Sequence, residues 1–203
     1  MKENPRRAFF DGIAELWDGW EEPSLRARID AGLEELDLRG RETVLDVGCG
    51  TGNLTAALLE RLDPDGRVIA LDISPAMLAV ARRKIEDPRV DWRCDDVARL
   101  PLPDASVDRV LCYTVWPHLD DPAAVAVELW RVLRPGGWLH VWHLIGRARV
   151  NEIHASAGAA VQGDVLPPAE ETARVLREEG FEVTEVVDEE SRYLVSALRP
   201  AGG

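Results

Sequence analysis

Asp46, Gly48, Gly50 and Gly52 occupy alternate positions in Val44-Leu45-Asp46-Val47-Gly48-Cys49-Gly50-Thr51-Gly52, where an apolar run gives way to a helical pattern. Glycines spaced this way let the backbone turn tightly and let a ligand come close to main-chain N–H groups. A second carboxylate, Asp72, closes the next apolar run, Val68-Ile69-Ala70-Leu71-Asp72. An acidic side chain at the end of a second strand can accept hydrogen bonds from ribose hydroxyls. Strand, glycine turn and helix, in that order, make a site for a nucleoside-containing cofactor.

The residues around the turn bear on which cofactor. A dinucleotide fingerprint wants glycine or alanine where Asn53 stands, and a phosphate-binding loop wants a Gly-Lys-Ser/Thr that is absent. Asp46 would lie near a pyrophosphate, and two like charges in a partly dry site repel by roughly several kcal/mol. A ligand carrying an ammonium and a sulfonium is attracted instead, and S-adenosylmethionine has both. Methyl transfer from a sulfonium is an in-line displacement, accelerated mainly by holding nucleophile and methyl close and aligned. A base is needed only if the acceptor must lose a proton. The ends of the fourth and fifth strands supply Cys112, Tyr113, Thr114, His118 and His143. His118 and His143 are the candidate bases, because neutral imidazole is available near pH 7. Tyr113 offers a ring to a sulfonium. Each also reads as an ordinary packing residue. His140 lies within a strand and reads as structural. Arg147, Arg149, Asn151 and His154 cluster after the fifth strand, where arginines can pair with a carboxylate or phosphate on a substrate.

The elements that must carry these residues are legible from periodicity. Strands are expected at Thr43–Val47, Arg67–Asp72, Val90–Cys94, Val107–Tyr113 and Trp138–His143, with helices over 53–62, 75–85 and 122–132. Asp63-Pro64-Asp65-Gly66 and Arg134-Pro135-Gly136-Gly137 are expected to end helices before strands. Ser74 before Pro75 caps the helix that follows Asp72. Alternation of this kind implies βαβ units and a mostly parallel sheet covered on both faces. Later come a helix from about 169 to 179 and strands near 181–188 and 191–198. Their connection is too short for a parallel crossover and predicts an antiparallel hairpin. Upstream, Phe10, Ile13, Ala14 and Trp17 recur at helical spacing, and a second helix runs from Leu25 to Leu38. Phe10 and Trp17 read either as packing or as an aromatic lid.

The 203 residues suit one domain, and 24 basic against 37 acidic residues leave a net charge of −13. An acidic surface without a basic run argues against nucleic-acid binding through phosphates. Cys49, Cys94 and Cys112 form no CxxC pair, which suggests reduced thiols in a cytoplasmic protein. They are read as isolated thiols, with convergence on the pocket left open and no metal expected. No signal-peptide pattern and no apolar run of membrane-spanning length is present, so neither export nor a membrane partner is expected.

Five segments in order carry a resemblance: Val44–Gly52, Leu71–Ser74, Cys94–Asp104, Val107–Val110 and Leu133–Gly137. Together they resemble the class I S-adenosylmethionine-dependent methyltransferases of small-molecule type, over roughly residues 40–145. The resemblance implies a Rossmann-like three-layer αβα sandwich, with a seven-stranded, mostly parallel sheet whose last strand is antiparallel. It also implies S-adenosylmethionine as cofactor and S-adenosylhomocysteine as product. Gly48, Cys49, Gly50 and Gly52 would pass the methionine moiety along their backbone, and Asp46 would hold its ammonium. Asp72 would take the ribose hydroxyls, and Ile73 would pack on adenine with Met77 and Cys112 as neighbours. Asp95 would accept from the adenine amine, and the Asp96 or Val97 backbone would meet the ring edge. Phe10, Trp17, Arg147, Asn151 and His154 would border the substrate. Two positions depart from the pattern: Cys94 stands where glycine is common, and Trp116-Pro117-His118 where many members carry paired histidines. Residues 1–40 are expected to form a helical lid on a methyltransferase domain over 41–203, acting on a small-molecule acceptor. A nicotinamide-dependent Rossmann oxidoreductase and a non-catalytic S-adenosylmethionine-binding regulatory domain are the alternatives.

Overall fold

The computed structural model describes residues 4–20 and 24–202, apart from the side chain of Trp20. Seven strands form one sheet in the order β3-β2-β1-β4-β5-β7-β6. The strands are β1 (Thr43–Val47), β2 (Arg67–Asp72), β3 (Val90–Cys94), β4 (Val107–Tyr113), β5 (Leu133–His143), β6 (Glu182–Asp188) and β7 (Tyr193–Leu198). All pairs from β3 to β5 are parallel, whereas β7 pairs antiparallel with both β5 and β6. The hairpin expected from the short 189–190 connection is therefore present, and the last strand sits inside the sheet between β5 and β6.

Helices cover both faces: α1 (Pro5–Ile13), α2 (Leu25–Glu35), α3 (Asn53–Arg61), α4 (Pro75–Lys84), α5 (Pro122–Val132), α6 (Arg147–Ser156) and α7 (Ala169–Glu178). On one face, Leu129, Ala173 and Leu176 pack with Leu45, Val110 and Val141 of the sheet. On the other, Ile29, Leu33 and Leu58 pack with Val44, Val68 and Leu111. Burial from both sides is why the central strands read as continuous apolar runs. The helix starts follow local chemistry. Ser74 Oγ accepts from Met77 N at 3.1 Å and Asp121 Oδ1 from Ala124 N at 3.0 Å, each directly before a proline at the first helical position.

Three boundaries differ from expectation. The helical spacing through Trp17 is split into α1 and a separate 3₁₀ turn at Trp17–Trp20. The second helix stops at Glu35, because Asp37 takes a positive φ of 47°. β5 begins at Leu133 and not at Trp138: α5 ends at Val132, ahead of Arg134–Gly137 as expected, but that segment lies inside the strand, where pairing with β4 slips register. Gly136 adopts φ +82° and donates to Arg199 O at 2.8 Å, while Arg199 N donates to Gly137 O at 2.9 Å. The irregularity keeps its backbone groups paired, so strand geometry survives it. Residues 144–168, where the pattern loosens, contain α6, whose one buried residue is Val150.

Candidate active site

The three glycines do three different jobs. Gly48, Gly50 and Gly52 all take positive φ, at 68°, 54° and 88°, a region where an L side chain is strained. A Cβ on Gly50 would meet nothing within 4 Å, so this position is open to a ligand. A Cβ on Gly48 would lie 2.5 Å from Val115, and one on Gly52 would lie 2.8 Å from Ile85 and 3.2 Å from Ala81. Gly52 is the left-handed residue before α3 and serves helix packing, not ligand contact.

Two carboxylates flank this turn. Asp72 accepts from Gly50 N and from Ser74 N, both at 2.8 Å, one bond to each oxygen. The loop and the start of α4 are thus fastened to the end of β2. Burial pushes the Asp72 carboxyl up, against the pull of those two bonds. Asp46 is 1% exposed and accepts from Thr55 Oγ1 at 2.6 Å. Burial, reinforced by the charge of Asp72, raises its pKa to about 7.

A cavity of about 670 Å³ opens at the carboxyl ends of β1, β2 and β4, where ligands sit in open α/β sheets. Asp46, Gly48, Cys49, Gly50, Asp72 and Ile73 line it, as do Met77, Asp95, Asp96 and Val97. Asp96 also caps the following turn by accepting from Ala98 N at 2.9 Å. Phe10, Trp17, Tyr113 and His118 border its other half. An acidic half beside glycine backbone fits a cationic nucleoside ligand.

Several expected site residues lie elsewhere. Cys112 is fully buried in the core, and burial pushes its thiol far up. It does not line the cavity, because β4 turns that side chain into the face packed by α5. Cys94 is exposed and Cys49 buried, so the three thiols do not converge. Among the described residues no group of side chains is arranged to hold a metal ion. His143 is 2% exposed with its ring edge-on to Tyr193, away from the cavity. Burial lowers its pKa to about 3, so it stays neutral but out of reach. Arg147 pairs with Asp188 at 3.0 Å. Asn151 clamps Leu166, accepting from its N at 2.7 Å and donating to its O at 3.1 Å. His154 Nδ1 faces Asp164 O at 2.8 Å. None of these three lines the cavity; from the same helix it is Arg149 and Ile153 that do.

Residues 45–141 match the family model described as Methyltransferase domain. With the sheet order and the glycine cradle in place, that match makes residues 45–141 a methyltransferase domain. The chain as a whole has the fold of the S-adenosylmethionine-dependent methyltransferases. The chain is 31% identical over 174 residues to malonyl-[acyl-carrier protein] O-methyltransferase of Acetivibrio thermocellus, covering 78% of this chain and 60% of that protein. It is 42% identical over 109 residues to trans-aconitate 2-methyltransferase of Azoarcus sp., covering 54% of this chain and 42% of that one. A crystal structure of a SAM dependent methyltransferase from Aquifex aeolicus shares the fold, with TM-score 0.75, 24% identity and coverage of 92% and 98%. The chain spans at most 60% of the length of the two curated relatives. S-adenosylmethionine is the cofactor of the family.

The cavity wall also includes residues not singled out from the sequence. Arg6, Arg28, Thr51 and Leu25 line the cavity. Arg28 reaches from α2 to Leu144 O. Asp18 ties the N-terminal segment to the glycine loop, accepting from Thr51 Oγ1, and pairs with Lys84 at 2.7 Å. Asp11 accepts from Ser74 Oγ at 2.6 Å and Ala76 N at 3.2 Å, at the very start of α4. The available signal was spacing: Asp11 and Asp18 stand seven residues apart, each directly after an aromatic residue, Phe10 and Trp17. Arg6 and Arg28 had no such signal. Among the described residues, no helix is long and apolar enough to cross a membrane.

Proposed function

We propose that this chain transfers the methyl group of S-adenosylmethionine to a small-molecule acceptor. The observation that carries this reading is the juxtaposition of buried Asp46, open Gly50 and Asp72 on one wall of the cavity. S-adenosylmethionine supplies an electrophilic methyl carbon on a sulfonium. Asp46 would draw in the ammonium, the Gly48–Gly50 backbone would pass the amino-acid part, and Asp72 would receive the ribose hydroxyls. Ile73 and Met77 would enclose the adenine, with Asp95 toward its amine. The opposite half would take the acceptor, between Phe10, Trp17, Tyr113, Arg28, Arg149 and His118. Of the expected lid segment 1–40, residues 4–20 and 24–40 would cover that half, the remainder lying outside the described residues. Tyr113, whose ring packs 5.0 Å from Trp142, would face the cationic centre. Trans-aconitate, named for one relative, and the malonyl group on an acyl-carrier protein, named for another, support a small organic group as the acceptor.

Titration calorimetry with S-adenosylhomocysteine tests the reading. One site per chain is expected, weakened at least tenfold by Asp72→Ala, whose loss also frees the glycine loop. A folded sample giving no heat with either form of the cofactor overturns it. NAD or NADP saturating the site instead would restore the oxidoreductase alternative.

A further inference from the structure

His118 and Asp164 are 46 residues apart in sequence and meet at the acceptor end of the cavity, with His118 Nδ1 2.6 Å from Asp164 Oδ2. His118 sits in the turn after β4 and lines the cavity. Asp164 lies between α6 and α7 with a side chain only 3% exposed. Arg6 of α1 grips the same carboxylate, donating from Nε to Oδ2 at 2.9 Å and from Nη2 to Oδ1 at 2.7 Å. Its remaining nitrogen reaches Asp120. Burial alone would push the Asp164 carboxyl up, but hydrogen bonds from His118 and Arg6 prevail and hold it down at about 2. It is an anion at any working pH.

An ionised carboxylate can only accept, so the nitrogen facing it must carry the proton. The neutral His118 ring then has Nδ1–H and a bare Nε2. Nε2 has no hydrogen-bond partner among the described residues, and it is not among their buried unsatisfied atoms. The ring is held on two other sides, by Phe10 edge-on at 5.2 Å and His154 at 4.8 Å. The charged and titratable groups facing it are Asp164, Arg6, Asp120, His154, buried His143 and, across the cavity, Asp72. A His–Asp pair kept only to anchor the 157–168 segment would not need its histidine on the cavity. That anchoring is already supplied by His154 and Asn151.

We propose that Asp164 is a positioning residue that fixes His118 as a general base with Nε2 unprotonated, and that the acceptor is a molecule methylated at a hydroxyl or amine. This rests on the methyl-transfer reading above. In the step, the acceptor's X–H bond breaks and its proton goes to Nε2. The freed pair on X forms the bond to the methyl carbon, and the sulfur keeps the pair of the broken C–S bond. The imidazolium that results is stabilised by Asp164 and later returns its proton to water. Arg6 makes the arrangement conditional on α1: the clasp that keeps Asp164 ionised forms only when the N-terminal helix is docked.

The test is long-range ¹H–¹⁵N NMR of the full chain labelled at histidine, with S-adenosylhomocysteine added and His118→Gln to assign the ring. In wild type at pH 8, His118 should carry its proton on Nδ1 and none on Nε2. Asp164→Asn, whose amide can donate to Nδ1, should move the proton to Nε2, and Asp164→Glu should restore the original tautomer. A wild-type ring protonated on Nε2, or an unchanged tautomer in folded Asp164→Asn, overturns the proposal. Should Asp164→Asn fail to fold, the wild-type and Asp164→Glu spectra decide on their own. Calorimetry showing no binding of S-adenosylhomocysteine by wild type would instead overturn the methyl-transfer reading, whatever the tautomer.

Discussion

Asp46 is the residue whose chemistry depends most on its surroundings. A carboxylate with no cation beside it, in contact with a hydroxyl and near a second carboxylate, holds its proton up to about pH 7. A bound ammonium reverses that balance and expels the proton. Binding of S-adenosylhomocysteine at pH 6.5 should therefore release about three-quarters of a proton per site. Calorimetry in buffers of different ionisation enthalpy reads this directly, and Asp46→Asn should abolish the buffer dependence. The glycines make a second contrast at this scale. Gly52→Ala forces a Cβ to within 2.8 Å of Ile85 at a positive φ and should cost about 1–3 kcal/mol of stability. Gly50→Ala meets open space, so its cost should be backbone strain of about 1 kcal/mol. Its larger effect should be on cofactor affinity, since the new methyl occupies the ligand's path. Chemical denaturation and calorimetry on the two variants separate these effects.

At the scale of elements, the N-terminal segment is held by polar latches more than by burial. Within α1 no residue is buried, and Ala14, Met77 and Val80 form its small apolar seam with α4. Asp11, Glu15 and Asp18 fasten it to Ser74, Arg83 and Lys84. Segments with few buried contacts open at low free energy. Hydrogen exchange should therefore run far faster over 5–17 than over the central strands, and slow when S-adenosylhomocysteine fills the cavity. Asp11→Ala should raise exchange in α1 and lower cofactor affinity severalfold while leaving the core transition nearly in place. It should act on both because Asp11 bonds to Ser74, which also donates its backbone N–H to Asp72.

For the whole molecule, the buried histidines set part of the acid limit. His140 and His143 are held neutral down to about pH 3, both chiefly by burial. An unfolded chain protonates them near pH 6.5. Their contribution to stability is thus complete above pH 6.5 and drains as pH falls toward 3, by up to about 1.4 kcal/mol per pH unit for each group. Asp46, raised to about 7, acts in the opposite sense: its contribution is complete below about 4 and is lost as pH rises through 7. His143→Leu should flatten the melting-temperature profile between pH 6.5 and 3 and leave the alkaline side unchanged. Scanning calorimetry across that range measures it. The sheet, its parallel centre and its antiparallel end were legible in the chain because burial on two faces and short connections leave direct marks on apolar runs and loop lengths. The glycine cradle and the two carboxylates were legible for the same reason: their chemistry is local, written in adjacent residues. Which side of β4 and β5 faces the cavity was not, and Cys112 and His143 were misplaced because residues near a strand end share sequence position but not direction. Equally hidden was the meeting of Arg6, His118 and Asp164. The sequence by itself determined the fold, the methyltransferase domain and the glycine-and-carboxylate wall of the cavity, since each rests on contiguous motifs. Only the tertiary structure decided the opposite wall, because it comes from α1, the β4 turn and α6, which packing alone brings together.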